Sequence, residues 1–357
     1  MAVFRSKKPW GMRFAALLVP LTFMVTACSD DGGDDDGGLT IVTHDSFNVS
    51  DEVLAAFTDD TGIDVEILRA GDAGAALNQA ILTKDDPEGD VFFGVDNTFL
   101  TRALDEDLFV AYEPAGLADV DPAFVLDPEH HVTPIDYGDV CLNYDKDFFA
   151  AAGAPPLPQT LDQLTDPAYR DLLVVENPAT SSPGLAFLLA TIEHFGVDGW
   201  TGYWSALRAN GVTVIDAWPD AYYGQFSGGS GEGDKPLVVS YASSPPAEVQ
   251  VATGETTESP TGVLEQSCFR QVEFAGILQG TEHEEDARRL IDFMLSLEFQ
   301  EDMPLTMYVF PVNREADLPE VFVQHAVVPD APFQMPPDEI GEHRDEWIQE
   351  WTDTVLR

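Results

Sequence analysis

From residue 39 onward, short apolar runs alternate with stretches whose apolar positions recur at helical spacing. LTIVT (residues 39–43) predicts a strand. Ser50 then stands where a helix cap belongs, ahead of Asp51 and Glu52, whose charge suits a first turn. Val53, Leu54, Ala56 and Phe57 keep helical spacing, and Gly62 closes the segment. IDVEIL (63–68) alternates as a second strand, 73–82 reads as a helix, 90–93 as a third strand and 97–104 as another helix. That succession predicts a parallel sheet with helices on its faces. The pattern restarts with strands at 139–144, 172–176, 212–215 and 237–240 and helical segments at 161–164 and 184–195. Residues 271–278 alternate, and 284–295 are helical. The tail, 338–356, is an amphipathic helix with Trp347 and Trp351 on one face, read as packing. No repeat of 20–50 residues interrupts this, so the body reads as two α/β lobes.

The start of the chain follows a different rule. Arg5, Lys7, Lys8 and Arg13 precede an apolar run from 15 to 25 broken only by Thr22. A run of about 11 residues is short of the ~20 that span a bilayer, and this arrangement describes a secretory signal. Val25-Thr26-Ala27-Cys28 resembles a bacterial lipobox, which implies that Cys28 becomes the lipidated first residue. An ordinary signal cut near Ala27 is the alternative. The Asp/Gly run that follows cannot bury enough apolar area to offset its ordering entropy and suits a flexible tether. The expected organisation is a lipoprotein signal peptide at 1–27 and a tether at 28–38. The body would be exported and lipid-anchored to the outer face of the cytoplasmic membrane.

Charge narrows the partners. The formal charge is −47, and without the leader's four basic residues it is 64 acidic against 13 basic. Such a field repels nucleic-acid phosphates and favours cationic solutes. The acids are spread along the whole chain, which also fits a role in solubility. With Cys28 taken by lipid, Cys141 and Cys268 are left in an oxidising compartment and are candidates for a disulfide; two separate buried thiols are the alternative.

Ligands of open α/β sheets sit at the carboxyl ends of strands, so the loops after strands are where chemistry is expected. Four stand out: His44-Asp45-Ser46-Phe47, Gly94-Val95-Asp96-Asn97, residues 177–184 (NPATSSPG) and Ser240-Tyr241-Ala242-Ser243-Ser244-Pro245. In the third, Pro183 suits a first helical turn, and Thr180, Ser181 and Ser182 place hydroxyls beside its free N–H groups. That is an anion site, or else plain N-capping by Ser182. The Gly-rich stretch 226–234 lacks the spacing of a nucleophile elbow, because Glu232 stands where its last Gly would be. His130, His131, His283, His325 and His343 do not form a metal-ligand spacing.

The ordered set THDSF, GVDN, DYGDVCLNYDK, NPATSSPG, AWPDAYYGQF, SYASSP and FQEDMPLTMYVFPVN resembles the thiamine-binding lipoproteins and periplasmic proteins of ABC transporters. The resemblance covers nearly all of residues 39–357. It implies a two-lobed type II periplasmic binding protein fold with a ligand cleft between the lobes. The chain would pass between lobes near Tyr137, Gln271 and Pro311. Lobe 1 would hold 39–137 plus about 272–310, and lobe 2 138–271 plus about 311–357. The family surrounds thiamine with a Tyr after strand one, a Trp, a Tyr and another Trp. Trp218 and Tyr241 match the middle two, while His44 stands for the first Tyr and Tyr308 for the last Trp. The Ser181–Ser182 loop corresponds to the part that meets the hydroxyethyl or phosphate end.

The chemistry of the ligand fits independently. A thiazolium gains from aromatic faces, and an aminopyrimidine wants a carboxylate edge, for which Asp45, Asp96 and Asp136 are candidates, each also plausible as a cap or turn residue. The expected function is therefore capture of thiamine or its phosphate esters for an ABC transporter permease, by a monomer without cofactor, metal or catalysis. Ferric-ion or polyamine-type binding on the same fold is the alternative, the former because Tyr222-Tyr223 is a tandem of phenols. A secreted hydrolase is the alternative of another class.

Overall fold

The computed structural model describes residues 38–251 and 258–357. The expected signal peptide, Cys28 and all of the tether except Gly38 lie outside the described residues. Ten strands form one sheet: β1 (Leu39–Thr43), β2 (Val65–Arg69), β3 (Val91–Asp96), β4 (Phe109–Val110), β5 (Thr133–Asp145), β6 (Leu173–Glu176), β7 (Thr213–Ile215), β8 (Leu237–Tyr241), β9 (Thr261–Leu278) and β10 (Phe310–Pro311). Their order is β2-β1-β3-β9-β5-β8-β6-β7, with β4 on β9 and β10 on β5.

The sheet is mixed, where the βα rhythm predicts a parallel one. The β2-β1-β3 end is parallel, as is β8-β6-β7. Between them β9 runs antiparallel to β3, and β5 antiparallel to both β9 and β8. Two long strands, of 13 and 18 residues, thus join two parallel α/β halves. The alternation rule recognised only parts of them (139–144 and 271–278), because the rest does not alternate: 133–138 includes Pro134 and Gly138, and 261–270 carries Glu265, Gln266 and Ser267 at a bulge. Helix boundaries follow the caps. Ser50 accepts from the Val53 N–H, and Gly62 ends the Asp51–Thr61 helix at φ 76°, a left-handed conformation natural to glycine.

Opposite Cys141, between the pairs Val140–Phe269 and Leu142–Leu264, β9 has four residues where β5 has one. Ser267 stabilises this bulge by accepting from the Leu142 N–H at 2.8 Å and donating to the Leu264 carbonyl at 2.6 Å. Cys141 and Cys268 are disulfide-bonded across it.

One core lies beneath the Asp51–Thr61 and Glu284–Met294 helices and includes Phe47, Phe57, Phe93, Ile277 and Phe299. A larger one runs from Phe92 and Leu77 in the first half to the apolar Ser182–Phe195 helix and the Trp200–Ala209 helix in the second. The C-terminal Pro337–Val355 helix packs on Trp200–Ala209 and on Leu100–Asp105, so it touches both halves. Its Trp351 is fully buried and meets Trp204 edge to face at 5.5 Å. Its Arg344 lies over the Phe99 ring at 5.4 Å. Trp351→Ala should cost about 3–5 kcal/mol by the cavity it leaves. Chemical denaturation measures it, and a loss below about 1 kcal/mol would show that the helix does not anchor the core.

Candidate functional site

Where the two halves meet, the strand ends and helix starts leave a cleft lined from both sides. The first half contributes His44, Asp45, Ser46, Asp72, Glu273, Met307 and Tyr308; the second contributes Ser182, Pro183, Trp218, Tyr222, Tyr223, Tyr241 and Ser244. Six of the nine residues expected at a ligand site (His44, Asp45, Ser182, Trp218, Tyr241 and Tyr308) therefore line one cavity. The other three, Asp96, Asp136 and Ser181, are fully buried outside that lining.

The aromatic side is built from the turn into the Trp218–Gly224 helix. The Trp218 ring stacks on Tyr222 at 5.1 Å and meets Tyr223 and Tyr241 edge-on at 5.7 and 6.3 Å. Its indole N–H donates to Ser240 Oγ at 3.0 Å, and Ser240 pairs with Ser244. The indole is thus held at a fixed angle to the cleft. Tyr241 ends β8, and its hydroxyl donates to Gln271 Oε1 at 3.2 Å. Tyr308 sits at φ 56°, an uncommon region for an aromatic residue, with its hydroxyl donating to Gln250 of the second half at 3.1 Å. The Tyr222 hydroxyl donates a hydrogen bond to Glu248 at 2.8 Å, whereas Tyr223 is half exposed. Burial, with Glu248 close by, pushes both phenols up.

Sequence reasoning missed Asp72. It caps the Ala73–Leu82 helix, accepting from the Ala73 N–H at 2.7 Å with one oxygen. The other accepts from the Trp218 N–H across the cleft at 2.8 Å. From sequence the residue reads only as a cap, since its second partner is 146 positions away. Glu273 was missed for a related reason: it sits inside a strand, not in a loop. Asp45 accepts from the Gly71 N–H at 3.2 Å, the turn role weighed for it, while still facing the cleft. Ser181 is the cap position of the Ser182–Phe195 helix but makes no side-chain cap bond, and Pro183 follows in the first turn. The hydroxyls of Ser181 and Ser182 are both buried and unpartnered, so simple capping by Ser182 does not occur.

Beneath the cleft the strand register sets three acids side by side. Asp96 of β3 pairs with Glu273 of β9, and Glu273 with Asp136 of β5. Directly opposed residues share a face of a sheet, and like charges there repel. Asp96 is best supported, accepting from the Thr98 N–H and hydroxyl at 2.7 and 2.6 Å and from Gln271 Nε2 at 2.9 Å. Burial still pushes its carboxyl up to about 6. Asp136 has no hydrogen-bond donor on either oxygen, and burial with Glu273 beside it drives it well above the carboxylate range. Glu176, at the end of β6, is likewise buried without partners and raised by burial and Asp72.

The folded protein holds the Asp96 proton more tightly than the unfolded chain. Stability from this group is therefore full below about 4 and is lost as pH rises through about 6. The rise to about 6 corresponds to roughly 3 kcal/mol. Asp96→Asn should therefore gain on the wild type in thermal stability between pH 5 and pH 8. Melting curves at both pH values test this, and a difference that is constant or shrinks with pH refutes it.

Residues 86–340 match the bacterial extracellular solute-binding protein family. The thiamine-binding periplasmic protein of Salmonella typhimurium is 28% identical over 323 residues, covering 89% of this chain and 94% of the relative. A solved periplasmic thiamin binding protein superposes with a TM-score of 0.78 at 28% identity, over 89% of this chain and 96% of that one. The ferric binding protein from Campylobacter jejuni shares the fold, with a TM-score of 0.70 at 16% identity over 88% of this chain and 99% of its own. The two-lobed architecture of periplasmic binding proteins, the cleft between its halves and the match over most of the sequence lead to one assignment: the chain belongs to the bacterial extracellular solute-binding protein family.

Proposed function

We propose that this chain captures thiamine, or a phosphate ester of it, in the cleft and delivers it to the permease of an ABC transporter. The observation that carries the reading is the make-up of the cleft: five aromatic rings (Trp218, Tyr222, Tyr223, Tyr241 and Tyr308) and the carboxyls Asp45, Asp72 and Glu273, with no lysine or arginine in the lining. A flat organic cation gains from ring faces and from nearby carboxylates, about 0.5–2 kcal/mol per desolvated cation–π contact. The names of the relatives point to the same ligand.

In this reading Trp218, Tyr241 and Tyr308 flank the rings, and His44 lies at the end of the cleft floor. Asp45 and Asp72 offer acceptors to an aminopyrimidine edge. Asp96 and Asp136 act from below as part of the negative field. Ser181 and Ser182, at the start of a long helix, receive the hydroxyethyl or phosphate end. The lobes are residues 39–137 with about 272–310, and 138–271 with about 311–357; they close on the solute about their connecting strands. No bond is made or broken. The protein works as an exported monomer held to the outer face of the cytoplasmic membrane by lipid on Cys28.

Calorimetric titration with thiamine, its mono- and diphosphate, spermidine and Fe³⁺ tests the reading. Heat and a rise in melting temperature are expected with the thiamine compounds; a response to spermidine or Fe³⁺ alone would end it. Trp218→Ala should weaken thiamine binding at least about tenfold, one cation–π contact's worth, with the far-UV circular dichroism retained. Undiminished binding would place Trp218 in the packing rather than the site.

A further inference from the structure

We propose that His44 is an exchangeable counter-cation: its imidazolium balances the acids of the empty cleft, and its proton leaves when an organic cation enters. This rests on the thiamine reading and deepens it, because it makes uptake sensitive to external pH through one named residue.

The geometry of His44 is specific. It follows the last residue of β1, is 8% exposed and lines the cleft. Its ring lies against Phe93 at 5.7 Å. The neighbouring backbone makes room for it: a Cβ added at Gly94, itself at φ 101°, would lie 2.3 Å from His44 Cδ2. Nε2 is buried and 3.4 Å from Glu273 Oε1, an ion-pair contact without a formed hydrogen bond. That nitrogen is therefore placed to carry a proton that no geometry locks in.

The groups facing the imidazole are almost all acidic. Glu273 comes from β9, Asp96 from β3 and Asp72 from the start of the Ala73–Leu82 helix. Asp136 of β5 stands beside Glu273 in the strand register, and Asp45 follows His44 in the cleft lining. Tyr241 of β8 and Tyr308 present neutral phenols. Among the described residues that line the cleft, His44 is the one side chain able to carry positive charge. Burial alone would lower its pKa, but Glu273, with Asp72 and Asp96, outweighs burial and raises it above 6.5. His44 therefore holds its proton more tightly than a free imidazole does, at the place where a ligand's positive charge gains most. A thiazolium and an imidazolium in the same small cleft repel, so the bound cation lowers the histidine's proton affinity and one proton departs to solvent. Linkage fixes the sign: binding that releases a proton strengthens as pH rises and weakens as it falls. Where the family resemblance expects a tyrosine at this position, a phenol would supply no such exchange.

The test is titration calorimetry of thiamine into the purified chain from pH 6 to 8.5, in pairs of buffers of unlike ionisation enthalpy. The wild type should release up to one proton per thiamine, and its affinity should fall by as much as about tenfold per pH unit below the imidazole's pKa. His44→Asn and His44→Gln, each checked for an intact fold by circular dichroism, should lose that release and show a flatter profile. The buried acids remain in both variants, so the difference between the curves belongs to the imidazole. Thiamine binding without proton release, or variants releasing as much as the wild type, overturns the exchange and leaves the thiamine reading standing. No thiamine heat at any pH overturns both.

Discussion

Three carboxyls that face one another across neighbouring strands set the terms for the middle of this molecule. Asp96, Glu273 and Asp136 are placed together by hydrogen-bond register, not by flexible loops, so the chain cannot relax their repulsion by moving a side chain away. Burial adds the cost of taking charge out of water. The sheet relieves this in three ways: donors from Thr98 and Gln271 to Asp96, an Asp136 carboxyl pushed towards its neutral form by burial and Glu273, and the imidazole of His44 against Glu273. A fold selected only for stability would have apolar residues at these three positions, since a buried ionic cluster is a poor source of stability. Their presence where two halves meet favours a role in holding a cationic solute.

The same junction explains why the strands that carry it are long. β5 and β9 must reach from one parallel half to the other, and they do so as an antiparallel pair with register shifts at Pro134–Asp136 and Val140–Leu142. The first shift lies next to Asp136 and the second next to Cys141. A bulge bends and twists a strand locally. Here one bulge adjoins the acidic floor, while the other is tied by a disulfide and by Ser267. The connection between the halves is in this way confined to a short, specified stretch of backbone.

Much of this was legible from the sequence because local rules and the global fold agree. Ser50 and Gly62 bound a helix where capping chemistry says they should, and the apolar runs at 39–43 and 172–176 are strands buried within the sheet. Three of the four loops singled out did assemble one cleft, since the carboxyl ends of the strands in both halves point to the junction, whereas Gly94, Val95 and Asp96 belong to β3 itself and lie outside the lining. Three kinds of feature were missed. The antiparallel middle of the sheet was hidden because β9 carries Glu265, Gln266 and Ser267 at a bulge, where an alternating strand would show apolar residues. The seven-residue Trp218–Gly224 helix is too short to show a period, whereas the Trp200–Ala209 helix carried its signal openly, with Trp200, Tyr203, Trp204 and Leu207 at helical spacing, and was passed over. Asp72 and Glu273 have partners far away in sequence, so nothing near them announced a second role.

Asp72 also bears on how the two halves come to share one site. Its two oxygens serve different parts of the fold, one capping a helix of the first half and the other receiving the Trp218 N–H of the second. Gly74, in the same first turn, lets the Thr180 backbone approach so closely that a Cβ there would sit 2.9 Å from the Thr180 carbonyl. Tyr308 reaches Gln250 from a backbone conformation that costs free energy. Two of these contacts bring residues that line the cleft: Asp72 with Trp218 in one, and Tyr308, bonded to Gln250, in the other. If the halves separate, these contacts break together, and the acceptors of Asp72 and the faces of Trp218 and Tyr308 are exposed to solvent at once. A solute that touches all three would draw on every crossing contact, so its binding and the closing of the cleft are one event governed by the same few side chains.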